Sequence, residues 1–548
     1  MKLGVAGMLV VASLAICAVA RAESQPATSG GPATFRRLSA AQYTRSIGDI
    51  FGADIKVPGR FEPPLRDEGL MAIGDSKVDV TSSGFEQYEL RAREISAQVL
   101  ADDRRKNFLS CAPRSLEVFD KFCASQFLGK YGRLLFRRPL TEAEMTSALT
   151  VTNATTKTSG NFYKGLESGL ARLLASPNFI FRVEQTEGPP RNGTLRLDDY
   201  SLASRISFLL WDAAPDAELM DAAASGALHS EDGLEKQVDR LINSPRFAEG
   251  VRAFFSDMFA YEQFDGLTKD QSIYPKYTSQ LSKDAAEQTM RTVVDLLVTN
   301  KGDYRDLFTT KKTFLSRRLA SLYRVPVDGA AVDGWIPYTF GPDDPRAGIL
   351  TFAAFLVLDP THEGKTSPTI RGKSVRELLL CQKIPAPPGN VDFSKFQDPK
   401  NPNATVRERL TAHRESPTCA GCHSIMDPIG LGMENYDGVG DYRTTEHGAV
   451  IDASGSFEGK PYNDLIGLEK LLYESPTVSN CVVERAYEYG VGRPVAGGER
   501  EWLKYTSQRF ADEHYVFPAL MQRIATSKAF QTISADSVAP GAKVASSN

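Results

Sequence analysis

Apolar positions along this chain recur mostly at helical spacing. Ser39-Ala-Ala-Gln42 has the two polar ends of a capping box, Tyr43, Ile47, Ile50 and Phe51 follow at i, i+4, i+7 and i+8, and Gly52 stops the run. Thr141 and Glu144 repeat the cap after Arg138-Pro139. Leu202, Ile206, Leu209 and Leu210 form another stripe, as do Phe247, Val251, Phe254, Phe255 and Met258. Each stripe predicts an amphipathic helix packing on others. Three hexapeptides, at 174–179, 242–247 and more loosely 525–530, place a serine before a helical pattern, and we read them as helix starts.

Two breaks interrupt this helical body. One is the Gly/Pro/Asn run over 187–193, the other the proline-rich stretch over 384–403. The pattern predicts helical modules over 34–186, 194–325, 340–450 and 455–535, with a flexible leader over 23–33 and a disordered tail over 536–548. The N-terminus reads as a signal peptide over 1–22, with Lys2, an apolar stretch over 5–19 and a small-x-small ending at Ala22. That apolar stretch is too short to span a bilayer, and the run over 347–358 reads as a buried helix, so no integral membrane protein is expected.

Charge narrows the partners. Removing Lys2 and Arg21 with the leader leaves 62 basic against 68 acidic residues, without a Lys/Arg-rich run. Nucleic acid and anionic membrane surfaces are therefore not expected partners. Gly-x-Ser-x-Gly, His-Glu-x-x-His and Walker sequences are missing, and three Trp are too few for a quinoprotein propeller.

The strongest chemical signal is Cys419-Ala-Gly-Cys422-His423. Cys-x-x-Cys-His is the attachment sequence of c-type haem, in which two thiols add to the porphyrin vinyl groups and the imidazole ligates iron. With 7 Cys and 6 His in the chain, a chance occurrence has a probability of roughly one in a thousand. Three other readings stay open. A zinc site would recruit His413 or His447, a thioredoxin-type dithiol would want a βαβ unit, and a plain disulfide would leave His423 unexplained. One covalent haem c also agrees with a chain exported to the periplasm or beyond.

The second iron ligand is open. Met426, three residues past His423, projects to the same side; Met433 and His413 are the named candidates, His447 and Met521 further options, and a five-coordinate iron an alternative. Arg443 is a candidate partner for a haem propionate. The carboxylates between 427 and 441 read as turn and capping groups before acid/base catalysts. Cys111 with Cys123, and Cys381 with Cys481, are candidate disulfides in an oxidising compartment, with buried free thiols as the alternative.

The string CAGCHSIMDPIGLGMENYDGVGDYR resembles the signature of large secreted bacterial proteins built of consecutive domains of unknown function, often beside planctomycete-type cytochrome c domains. The segments at 35–52, 131–144, 197–219, 366–388 and 481–494 resemble successive modules of that family. The resemblance implies a secreted, haem-linked helical protein and sets His413 near the site, without naming a substrate; a second, N-terminal cytochrome module found in many members has no counterpart here.

The expected fold class is mainly α, with multi-domain helical bundles, a cytochrome c-like haem module and minor β-hairpin content. The expected function is that of a periplasmic or secreted monohaem c-type protein in a redox process, acting by electron transfer or by haem-dependent oxidation. A redox partner protein or a small-molecule substrate would complete it. The alternatives are a non-catalytic scaffold or electron-accepting partner of a dehydrogenase, and a haem-free extracellular protein with a structural Cys pair. Substrate, redox potential and oligomeric state are not encoded in any motif.

Overall fold

The computed structural model describes residues 25–327, 334–358, 366–385, 405–414 and 417–537, with the side chains of 412–418 outside the described set. The expected signal peptide, most of the proline-rich stretch and most of the tail thus lie outside the described residues. What is described is mainly α, with 22 helices and only small antiparallel sheets.

Local chemistry sets the helix starts. Ser39 accepts the Gln42 N–H while Gln42 caps back, and Thr141 does the same with Glu144. Ser176, Ser244 and Ser527 each receive an N–H from the first turn of the helix that follows, at 3.3, 3.3 and 3.2 Å. The apolar run over 347–358 folds as two short buried helices, Ile349–Thr351 and Ala353–Val357.

Packing gathers the helices around two cores. The first comprises Tyr43, Ile47, Phe51, Phe127, Tyr131, Leu166 and their neighbours from the chain before residue 182. The second draws on described residues from Leu195 to Ile533 and also takes Leu70, Ala72 and Ile73 from the N-terminal part. The helix Asp199–Trp211 lies between them. Leu202, Ile206, Leu209 and Leu210 face the second core, as their spacing predicts, but Phe208 is buried in the first, so this helix is covered on both sides.

The break over 187–193 forms a hairpin. Strands Thr186–Arg191 and Thr194–Leu197 pair across Asn192 and Gly193, whose φ of 50° and 76° suit a two-residue hairpin turn. The strand Thr532–Ser534 adds to its other edge. In the described part of the leader, Gly31 O accepts the Ser534 N–H at 2.8 Å and Pro32 O accepts Arg493 Nε at 3.1 Å. Pairing of Gly31 and of Thr194–Leu197 with the far end of the chain is invisible to local composition.

Candidate functional site

The Cys-x-x-Cys-His sequence lies on one helix, Pro417–Leu431, which begins at a proline that has no N–H to leave unsatisfied. Cys419, Cys422 and His423 are three and four residues apart and share one helical face. Both thiols are free and half-buried, while the remaining described cysteines are bonded, Cys111 to Cys123 and Cys381 to Cys481.

His423 is oriented from within its own helix. Its Nδ1 lies 3.0 Å from Oδ2 and 3.1 Å from Oδ1 of Asp427, a carboxylate with no solvent exposure. Thr369 donates to the same carboxylate at 2.8 Å. A carboxylate acceptor puts the ring proton on Nδ1 and fixes the tautomer.

Thr369 belongs to the helix Pro368–Leu379, whose backbone nearly touches the motif helix. A Cβ on Gly372 would sit 1.9 Å from Met426 O, and one on Gly430 would sit 1.7 Å from Pro368 O. Only glycine permits that approach, and the approach brings Thr369 within reach of Asp427. Pro428 interrupts the hydrogen bonding of the motif helix, and Arg376 Nε takes the nearby Ile425 carbonyl at 2.6 Å. The Ile425 side chain is 40% exposed, and a Cβ on Gly421, one turn before it, would meet nothing within 4 Å.

Beyond the helix, Arg371 holds the following turn. It is 1% exposed and donates to the carbonyls of Met433, Tyr436 and Asp437 at 3.0, 2.8 and 2.6 Å. Its Nη1 also lies 3.3 Å from Glu434, which Arg443 meets at 3.0 Å. Burial pushes the Glu434 carboxyl above its usual range despite both guanidiniums. Arg443, expected at a propionate, has its guanidinium on Glu434 in this structure.

Met433 and Met521 are buried in the second core, at 1% and 0% exposure, and Met426 is buried too. His413 lies on the helix Val406–Arg414, which packs on the motif helix; its side chain is outside the described set. His447 is exposed in a tight turn, with φ 48°. Among the described residues, the only three metal-ligating side chains with ligand atoms within 4.8 Å of each other are Glu187, Asp199 and His229. Arg196 is bonded to all three, so a cation already occupies that cluster. Sequence reasoning missed Thr369, Arg371 and the Asp427 contact, of which only the i+4 spacing of His423 and Asp427 was legible.

No helix among the described residues is long and apolar enough to cross a membrane. No curated protein and no solved structure matches the chain. Five family profiles do, each described as a protein of unknown function: DUF1587 over residues 36–101, DUF1595 over 123–184, DUF1592 over 197–325, DUF1588 over 346–446 and DUF1585 over 458–530. The fourth, named PSCyt3, contains the motif helix and its partner Pro368–Leu379. In sequence order, the chain is therefore a run of five consecutive domains of unknown function of the planctomycete cytochrome c-associated family.

Proposed function

We propose that Cys419, Cys422 and His423 attach one haem c and that the protein takes part in a redox reaction outside the cytoplasm. The observation that carries this reading is the state of the cysteines: four form disulfides, and the two of the motif remain thiols on one helical face with His423. Each thiol would form a thioether, its sulfur bonding one vinyl carbon and its hydrogen passing to the other. With Nδ1 committed to Asp427, His423 would offer Nε2 to iron, and the carboxylate would raise the basicity of the ring. When bound, the haem supplies one-electron chemistry. The residues of this chain hold it, orient its imidazole and restrict water on the buried side of the helix.

As a further residue that would ligate the haem iron, His413 is favoured over Met433. The helix of His413 packs on the motif helix, whereas Met433 would have to leave the core.

Expression with the cytochrome c maturation machinery, followed by denaturing electrophoresis and peroxidase staining, tests the reading. A stained band at the mass of the chain is expected, and its loss in a Cys419→Ser, Cys422→Ser double variant. An unstained wild-type band overturns the proposal. Given haem, prompt binding of carbon monoxide or cyanide indicates an open iron and enzyme chemistry. Inertness indicates electron transfer, including service to a partner dehydrogenase.

A further inference from the structure

The seam between the two cores sets arginine against arginine. Strand Phe35–Arg37 pairs with Phe181–Val183 so that Arg36 lies directly opposite Arg182, and the two are 3% and 7% exposed. Like charges in cross-strand positions repel, and a buried charge is costly unless it is paired. Arg37, Arg137 and Arg205 are buried around the same ribbon.

Four of these five guanidiniums are accounted for. Arg36 donates to the Tyr489 carbonyl at 2.8 Å, and Arg137 donates to those of Asn178 and Phe181 at 2.8 and 2.6 Å. Arg37 pairs with Glu62 at 2.9 Å and Arg205 with Glu184 at 2.6 Å. Arg182 makes no hydrogen bond or ion pair with a described residue; its guanidinium lies 4.4 Å from the centre of the Phe208 ring. Neither nearby acid forms an ion pair with it. Glu184 is held by Arg205 and by the Thr34 N–H at 3.0 Å, and Asp75 is buried without an ion pair among the described residues.

Arg182 opens onto a small surface cleft that Thr34, Arg36, Glu184, Ser201, Ser204 and Arg205 also line. The two serines lie three residues apart at the start of the helix Asp199–Trp211, on the face that also carries Phe208. Ser201 Oγ accepts the Gln185 N–H at 2.9 Å, which leaves its own hydrogen to donate. Ser204 has no partner among the described residues. A guanidinium lying over an aromatic ring beside two hydroxyl donors matches the geometry of carboxylate or phosphate oxygens.

We propose that this cleft binds an oxyanion, the carboxylate or phosphate group of a small ligand, through Arg182, Ser201 and Ser204. It stands apart from the haem motif and is independent of the haem reading. The mature full chain in bis-tris propane buffer, at constant ionic strength, would be titrated calorimetrically with inorganic phosphate, acetate and chloride. Saturable binding of phosphate or acetate is expected, with the tighter of the two identifying the ligand class. Arg182→Met keeps the stem on Phe208, removes the charge, and should weaken binding on the order of tenfold to a hundredfold. The same anion should shield Arg182 of the wild type from phenylglyoxal, read by peptide mass spectrometry, a measurement that stands even if the variant fails to fold. Absence of oxyanion binding, equal binding by the variant, or unshielded Arg182 overturns the proposal.

Discussion

His423 Nδ1 lies 3.0 Å from Asp427 one helical turn away, and Thr369 of the neighbouring helix holds the same buried carboxylate at 2.8 Å. The imidazole is thus aimed by a charge rather than by a neutral carbonyl. Asp427→Asn keeps the shape and an acceptor while removing that charge. If haem c is attached as proposed, it should remain attached in this variant and its midpoint potential should rise, because a neutral partner supports ferric iron less; a tenfold change in preference corresponds to about 59 mV. Potentiometric titration reads the shift, and an unchanged potential would remove Asp427 from the site.

The crossing of Pro368–Leu379 over the motif helix rests on Gly372 and Gly430. Alanine gains about 1 kcal/mol of helix propensity over glycine. At these positions the new Cβ meets backbone oxygens at 1.9 and 1.7 Å, which cannot swing aside. The clash wins, and each variant should lose about 1–3 kcal/mol in denaturant unfolding. Gly421→Ala on the same helix meets nothing within 4 Å and should be neutral or slightly stabilising.

The two disulfides close loops of different size, with separations of 12 and 100 residues. On chain entropy alone, the Cys381→Ala, Cys481→Ala variant should lose about 4.7 kcal/mol and the Cys111→Ala, Cys123→Ala variant about 3 kcal/mol. Unfolding curves of the two double variants compare them directly. Equal or reversed losses would show that native-state packing dominates.

Glu488, on the helix Pro476–Val491, is buried and its carboxyl is pushed up to about 7, chiefly by desolvation, against the opposing charge of Arg485. The folded state therefore binds this proton more tightly than the unfolded chain does. Its contribution is full below about pH 4.5, falls as pH rises, and is exhausted above about pH 7. Relative to Glu488→Gln, the wild type should lose on the order of 3 kcal/mol across that window. Thermal unfolding of both proteins at pH 4.5 and 8 measures the difference, and a constant gap would contradict the shift.

The legible parts of this fold were those written in local periodicity and caps. Ser39 with Gln42 and Thr141 with Glu144 cap helices because the side chain and its target N–H are three residues apart, whatever the rest of the chain does. The pairing of Thr532–Ser534 with Thr194–Leu197 and the hydrogen bond from Ser534 to Gly31 each depend on residues hundreds of positions away, and the burial of Phe208 in the first core depends on segments that precede its helix. At the candidate site, Cys419, Cys422 and His423 were readable as chemistry, since thiol and imidazole spacing along a helix is itself the motif. The engagement of Arg443 with Glu434 was not, because nothing in its neighbours reveals which acid it meets.

By itself, then, the sequence determined the helical class, the modular order and a haem c attachment motif as the site's leading reading, because these follow from side-chain spacing and covalent chemistry over a few residues. Only the tertiary structure decided that Gly372 and Gly430 let two backbones close, that Thr369 reaches Asp427, and that Arg182 faces Arg36 across a ribbon at the seam. Those relationships join segments distant in sequence, and packing alone sets them against one another.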